Sequence, residues 1–370
     1  MDRDEVVSAT RLWRPRRVKR VIAIAALGIS INALAQSPEA ESLARCRGII
    51  DATERLRCYD AMATGTPRLA PPEAQPAPSS PVPLDRDDPR SALIPSGKTA
   101  EDRSLLSQRW ELEPDDKYGA FKFTYYRPNH LLPVHLSDRI NRSPQSPSRT
   151  APAAAEYNRP EAGFQLSFKV KLIEEAFGTP SDLWLGYTQL SFWQIYNSDV
   201  SREFRSTDFE PELIWIWPTN YSILGLRGRM LGAGVVHQSN GRELPLSRSW
   251  NRAYLMAGFE RDRFVLTARA WQRILEDEGR DDNPDISDYV GRAELLAFYR
   301  WPNDTSTALR LRTTFKRNPS WGSAQFDYRF QLGEFLRGYV QLFTGHGETL
   351  IDYNFRKNSI GVGISIGSWY

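Results

Sequence analysis

A two-residue rhythm of hydrophobicity, repeated along the C-terminal two thirds, limits this chain more than any other feature. Leu309, Leu311, Thr313 and Phe315 interleave with Arg310, Arg312, Thr314 and Lys316, so one face of that segment is apolar and the other largely charged. Phe264, Leu266, Ala268 and Ala270 alternate likewise with Val265, Thr267, Arg269 and Trp271, and Ile360, Val362, Ile364 and Ile366 alternate with Gly361, Gly363, Ser365 and Gly367. Successive side chains on a strand point to opposite faces, so the pattern means strands with two unlike sides. Twelve candidates fall at about 117–127, 162–174, 182–196, 209–217, 223–238, 250–260, 263–275, 287–300, 306–316, 323–332, 335–345 and 357–370. An even number suits a bacterial membrane barrel, whose alternation leaves the mean hydropathy negative, as it is here.

A soluble β-sandwich would also alternate. Arginines opposite the apolar face, Trp and Tyr near strand ends, and the need to close every sheet edge in hydrocarbon favour a membrane barrel. The expectation is an all-β, twelve-stranded antiparallel transmembrane β-barrel over residues 101–370. Tyr370 ends the last strand on an aromatic, as outer-membrane barrel proteins generally do.

Ahead of the barrel, the basic RPRRVKR precedes the apolar run Val21–Leu34 and then Ala33-Leu34-Ala35. That order reads as a secretory signal peptide over 1–35 with cleavage before Gln36; an uncleaved anchor is the alternative, though the run is short for a span. The first 35 residues carry four more basic than acidic side chains, so their removal takes the formal net charge from +3 to −1. Nucleic-acid binding then has no electrostatic basis. Cys46 and Cys58 follow the export signal and most simply form one disulfide in a small helical segment, 36–63. Residues 64–100, with PEAQPAPSSPVP at their centre, read as a flexible periplasmic linker.

The stretch richest in chemistry is HQSNGRELPLSRSWN, His237–Asn251. Leu231, Ala233 and Val235 alternate with Gly232, Gly234 and Val236, so His237 and Ser239 continue an apolar, lipid-facing side of a strand. Residues i and i+2 lie roughly 7 Å apart with side chains parallel, so an imidazole can reach a hydroxyl two residues on. Asn251 opens the next apolar run and could return beside His237. A hydroxyl, a base and a group that holds the base's tautomer are the parts of nucleophilic acyl transfer. Taken alone, Ser239 beside Asn240-Gly241 is equally what a hairpin turn uses.

This segment resembles the active-site hairpin of the outer-membrane phospholipase A family, a calcium-dependent integral-membrane lipase. YTQLSFWQIYNSDVSREFRSTDFEPEL from Tyr187, DDNPDISDYVG from Asp281 and GETLIDYNF from Gly347 are similar to that family in the same order, covering most of the chain after Tyr187. The resemblance implies hydrolysis of phospholipid acyl esters in the outer membrane, with Ser239 as nucleophile, His237 as base and Asn251 as its orienting partner. It also implies a calcium ion ligated by the Arg242 carbonyl, Ser247 and Ser201 of the partner subunit, and a homodimer with Gln189 at its interface. A polar side chain on a lipid face is costly unless paired, which gives Gln189 a physical reason for that role. Where the family hairpin can carry an acidic residue before its proline, this chain has Leu244, and Asp281, Asp282 and Asp285 are the acids left for a monomer site.

Gly363-Ile364-Ser365-Ile366-Gly367 fits G-x-S-x-G, but a nucleophile elbow needs a helix and a later His, and neither follows. The rival from another class is a channel or structural barrel whose lipase site has decayed.

Overall fold

The alternation closes into a ring in a computed structural model that describes residues 46–63, 104–150, 156–277, 279–316, 322–333 and 336–367. The expected signal peptide, the linker 64–100 and Tyr370 lie outside the described residues. The chain divides into two units, Met1–Leu93 and Ile94–Tyr370. In the first, Cys46 and Cys58 form the one expected disulfide, with Cα atoms 5.5 Å apart. Helix α1 (Ala52–Ala63) starts where Asp51 Oδ1 accepts the Thr53 and Glu54 amides, each at 2.9 Å, a side-chain cap for otherwise unpaired donors.

The second unit begins with a short helix, α2 (Leu105–Trp110), and a short strand, β1 (Phe123–Tyr125). The barrel itself starts with β2 (Asn129–Ser137); a two-residue hairpin, β3 (Gln145–Ser146) and β4 (Arg149–Thr150), stands in the loop that follows. Next come β5 (Pro160–Ile173), β6 (Asp182–Trp193), β7 (Phe204–Ile223), β8 (Leu226–Ser239), β9 (Ser249–Arg261) and β10 (Phe264–Ile274). The circuit ends with β11 (Ala293–Arg300), β12 (Ser306–Thr313), β13 (Gly322–Gln331), β14 (Leu336–Gly345) and β15 (Lys357–Ile366). Each pairs antiparallel with its neighbour, and β15 returns to β2, closing twelve strands. Closure leaves no edge of unpaired backbone groups.

Polarity is inverted relative to a water-soluble barrel. On β8, Leu231 and Val235 face outward, 45% and 48% exposed, while Met230 and Val236 are buried inside. The lumen is charged and paired: Arg312 Nε lies 2.9 Å from Glu294 Oε2, and Arg127 Nη2 lies 2.5 Å from Glu210 and 3.1 Å from Glu212. Arg205 bridges Glu161 at 2.6 Å and Asp352 at 2.5 Å. Buried charge is tolerated only when partnered, and here each partner comes from another strand or loop. Helix α2 closes one end of the lumen. Ser104 caps it and donates to Glu260 Oε2 at 2.8 Å, and Leu106 and Trp110 pack into a buried cluster with Tyr126, Trp184, Met230 and Met256. That end carries the short connections 224–225 and 262–263, whereas 138–150, 240–248, 279–292 and 346–356 crown the other.

Two expected strands move. The expected first strand, 117–127, holds only the three-residue β1, and the barrel strand proper is Asn129–Ser137. Pro128 cannot donate to the ladder and separates β1 from β2, although both pair with β5. A second proline, Pro133, sits at the register shift between Leu132 and His135. The candidate 287–300 begins instead with a 3-10 turn, Ile286–Asp288, and extends as strand only from Ala293. The G-x-S-x-G decoy has a packing reason: a Cβ on Gly363 would strike the Leu131 carbonyl where β15 meets β2.

Leu255, 69% exposed at the middle of β9, tests the inversion. Leu255→Arg should destabilise the barrel in a bilayer by about 2–4 kcal/mol, measured by reversible denaturant unfolding in lipid vesicles. In a water-soluble barrel the same change would be near neutral.

Candidate active site

The phase of β8 carries the candidate residues to the outer wall. His237 is exposed and Ser239 half-buried, both on the side of Leu231 and Val235, while Gln238 turns inward and accepts Trp250 Nε1–H at 2.9 Å. Across the β8–β9 ladder His237 stands directly opposite Asn251, and Ser239 opposite Ser249. His237 Nδ1 and Asn251 Oδ1 are 2.8 Å apart.

The tautomer follows from the next contact. Asn251 Nδ2 donates to Glu276 Oε1 at 2.9 Å, and a carboxylate only accepts, so the amide oxygen must face the imidazole. His237 Nδ1 therefore carries the proton and Nε2 keeps its lone pair. Among the described residues no hydrogen bond joins Nε2 to Ser239. Such bonds are often loose before substrate arrives and tighten in the complex.

Asn240, buried after Ser239, shapes the connection to β9. Its Oδ1 accepts the Arg248 amide at 2.9 Å and the Arg242 amide at 3.3 Å, and its Nδ2 donates to the Leu246 carbonyl at 2.9 Å. Gly241 sits at φ +60, a conformation that strains any residue with a Cβ, with the Phe209 ring close by. This is a nine-residue connection, 240–248, braced by Asn240 and by Arg248, whose Nη1 donates to the Pro245 carbonyl at 3.0 Å, and not a two-residue turn.

The proposed calcium ligands occupy the same end. Ser247 Oγ donates to Asp282 Oδ2 at 2.5 Å, and Asp282 is also paired with Arg149 Nε at 2.9 Å. The Ser247 hydroxyl, on the connection that carries the Arg242 carbonyl, thus meets a carboxylate oxygen from the β10–β11 loop, and hard oxygens of this kind suit calcium. Among the described residues no three His, Cys, Asp or Glu side chains converge as a metal cluster. Leu244 is exposed and brings no carboxylate. Asp281 is held by Arg273 at 2.6 Å and Asp285 accepts Tyr353 O–H at 2.5 Å, so of the three acids only Asp282 reaches Ser247. Ser201 lies in the 194–203 loop, where its carbonyl accepts Trp193 Nε1–H at 2.8 Å.

Gln189 faces outward from β6. Within the chain its Oε1 accepts Tyr187 O–H at 3.1 Å and its Nε2 donates to Ser191 Oγ at 3.3 Å. Phe209 is opposite both Gln189 and Ser239, so the glutamine and the serine share one row, two strand spacings or about 10 Å apart. His130 and His135 point into the lumen, the first stacked on Tyr339 and the second 3.2 Å from Glu348, which leaves His237 as the outward imidazole of β2 and β8.

Two carboxylates stand against this hairpin, Asp282 against Ser247 and Glu276 against Asn251. Both come from the β10–β11 loop, about 25 to 35 residues further along; Asp282 is among the acids named from the sequence, and Glu276 is not. For Glu276 a signal did exist: Gln272 and Ile274 face outward at the end of β10, and Glu276 is next in that phase.

Comparison with known proteins identifies a family. A family model described as phospholipase A1 matches residues 106–366, nearly the whole barrel unit. The phospholipase A1 of Escherichia coli strain K12 is 33% identical over 251 residues, 66% of this chain and 81% of its own. That of Klebsiella pneumoniae is 31% identical over 283 residues, 75% of this chain and 96% of its own. Among solved structures, the Escherichia coli outer membrane phospholipase A superposes with a TM-score of 0.59 at 29% identity, covering 67% of this chain and 95% of that one. A Salmonella typhi outer membrane phospholipase, solved as a dimer with bound calcium, gives 0.61 at 29% identity, covering 72% and 98%. With the strand circuit and the match along the barrel in agreement, the chain belongs to the phospholipase A1 family.

Proposed function

We propose that this protein is a calcium-dependent phospholipase of the outer membrane that hydrolyses phospholipid acyl esters at the outer wall of its barrel, using Ser239, His237 and Asn251. The observation that carries the reading is the 2.8 Å pairing of His237 Nδ1 with Asn251 on the lipid-facing side, which leaves Nε2 as a free base beside a serine. Ser239 Oγ attacks the ester carbonyl while Nε2 takes its proton. That proton then passes to the departing lysophospholipid oxygen, leaving an acyl-serine. Water, deprotonated by the same nitrogen, releases the fatty acid and restores the serine. Asn251 keeps the proton on Nδ1 throughout.

An acyl chain has a seat on the same wall. Below His237 and Asn251 the outward residues Ala233, Ala253 and Ala270 form the floor of a trough of about 620 Å³, flanked by Leu213, Val235 and Leu255. Because the substrate lies in the bilayer, it reaches the serine from the membrane plane without crossing the lumen.

Calcium, held by Ser247, Asp282 and the Arg242 carbonyl with Ser201 of the partner subunit, would polarise the ester carbonyl and stabilise charge developing on it. Gln189, in the same row as Ser239, supports an active homodimer. Paired within one chain by Tyr187 and Ser191, it would exchange those bonds for one across the interface. By analogy with bacterial barrels, the long-loop end faces the exterior and the N-terminal extension the periplasm. The channel alternative finds little support in the lumen, where among the described residues α2 and paired charges border cavities of about 60 and 40 Å³, room for a few waters.

Ser239→Ala should reduce fatty-acid release from phospholipid micelles with calcium by at least about a thousandfold. Turnover persisting in that variant would remove the mechanism. Chelating calcium should abolish release and restoring it should recover release, with cross-linked dimer appearing only in the active state. Full turnover in excess chelator, or in a species that cross-links only as monomer, would count against the ion and the dimer respectively.

A further inference from the structure

The outer wall carries a fourth polar residue that the three-residue reading does not use. His237 on β8 is opposite Asn251 on β9, and Asn251 is opposite Ile274 on β10. Glu276 lies two residues beyond Ile274 and reaches diagonally back to Asn251, its Oε1 2.9 Å from Nδ2. The three side chains form a line of hydrogen bonds across three neighbouring strand positions, on the side of the sheet that also carries Ser239.

An amide alone is an ambiguous partner for a neutral imidazole. Turned one way it presents oxygen to Nδ1–H and leaves Nε2 basic. Turned the other way it presents N–H to an unprotonated Nδ1, and Nε2 then holds the proton and cannot accept one from serine. A carboxylate behind the amide removes the second arrangement, because it can accept only from the Nδ2 side. It also polarises the amide, so the oxygen facing the imidazole gains negative character when the imidazolium forms.

Resting on the triad reading above, we propose that Glu276 is a positioning residue of this hydrolase, which selects the productive orientation of Asn251 and extends the Ser239–His237–Asn251 line to a carboxylate. Its surroundings suit the task. Glu276 is half-buried just past the end of β10, and burial, with Asp281 nearby, raises its carboxyl above the usual glutamate range, while Arg273 and the Asn251 bond pull it back. The carboxylate therefore stands close enough to matter and outside the strand span, where its charge is affordable.

The test is a charge exchange along the line, in the full-length protein in detergent with calcium, with rates referred to the folded fraction read from heat-dependent gel mobility. Glu276→Gln offers Asn251 both a donor and an acceptor, and kcat should fall about tenfold with KM unchanged, the scale of one charge-assisted hydrogen bond. Glu276→Asp, which keeps the charge, should retain more activity than Glu276→Gln. Asn251→Asp alone sets two carboxylates against each other and should be impaired. Adding Glu276→Gln to it should raise activity above that of Asn251→Asp, because the glutamine amide then donates to the new aspartate. Glu276→Gln within twofold of the parent, or a double variant no better than the two single losses multiplied, would overturn the proposal. Ser239→Ala runs in parallel: if it stays active the triad reading fails, whereas an inactive Ser239→Ala beside an undiminished Glu276→Gln defeats only the role given to Glu276.

Discussion

Arg205 reaches Glu161 at 2.6 Å and Asp352 at 2.5 Å, tying β7 to β5 and to the loop between β14 and β15 across the lumen. Lys357 extends the group to Glu348 at 2.7 Å, and His135 meets the same Glu348. Ion pairs of this kind are a weak source of net stability, since desolvation consumes most of the attraction. Their force lies in what they exclude: a strand slipped by one residue would swing these charges onto the lipid side and apolar residues into a charged interior. Register is thus fixed by opposing penalties on the two faces, and every outward position, including those of the site, inherits its direction from that.

Among the described residues, a barrel filled in this way leaves little interior for chemistry. Arg127, Arg269, Tyr254 and Glu212 interlock in the lumen, and α2 covers its short-turn end. The outer wall is where a bilayer-dissolved substrate arrives, and there a polar group is costly unless paired. His237, Asn251 and Glu276 answer that cost with each other, and Gln189 with Tyr187 and Ser191.

How much of this the sequence disclosed depended on whether a residue stood inside a periodic run. Leu231, Ala233 and Val235 predicted the outward facing of His237 and Ser239, and the strand after the hairpin returned Asn251 to the opposite position, because a two-residue period carries phase without loss. The same logic aimed Gln189 correctly. Legibility ended where period ended: Pro128 and Pro133 broke the first strand into pieces that alternate poorly, and the assignment fell on the wrong side of the break. It ended again in the 275–292 loop, whose Glu276 meets Asn251 only through the pairing of β9 with β10, and where nothing in the sequence set Asp282 apart from Asp281 and Asp285 as the acid that reaches Ser247.

Within the proposed triad, asparagine at position 251 has a physical logic. A bare carboxylate opposite His237 would stabilise the imidazolium strongly, but in the resting enzyme it would be a charge at the margin of hydrocarbon beside a neutral ring. An amide is less costly there, though it is weaker and can face either way. Setting the carboxylate one hydrogen bond further back, past the last residue of β10, separates the two demands: the charge sits at loop level, and the oriented amide conveys part of its field to the ring. The arrangement needs the β9–β10 register to hold, since a shift of one residue would take Ile274 off Asn251 and move Glu276 to the opposite phase. Paired charges in the lumen, which hold that register, would therefore support the proposed chemistry on the far side of the sheet.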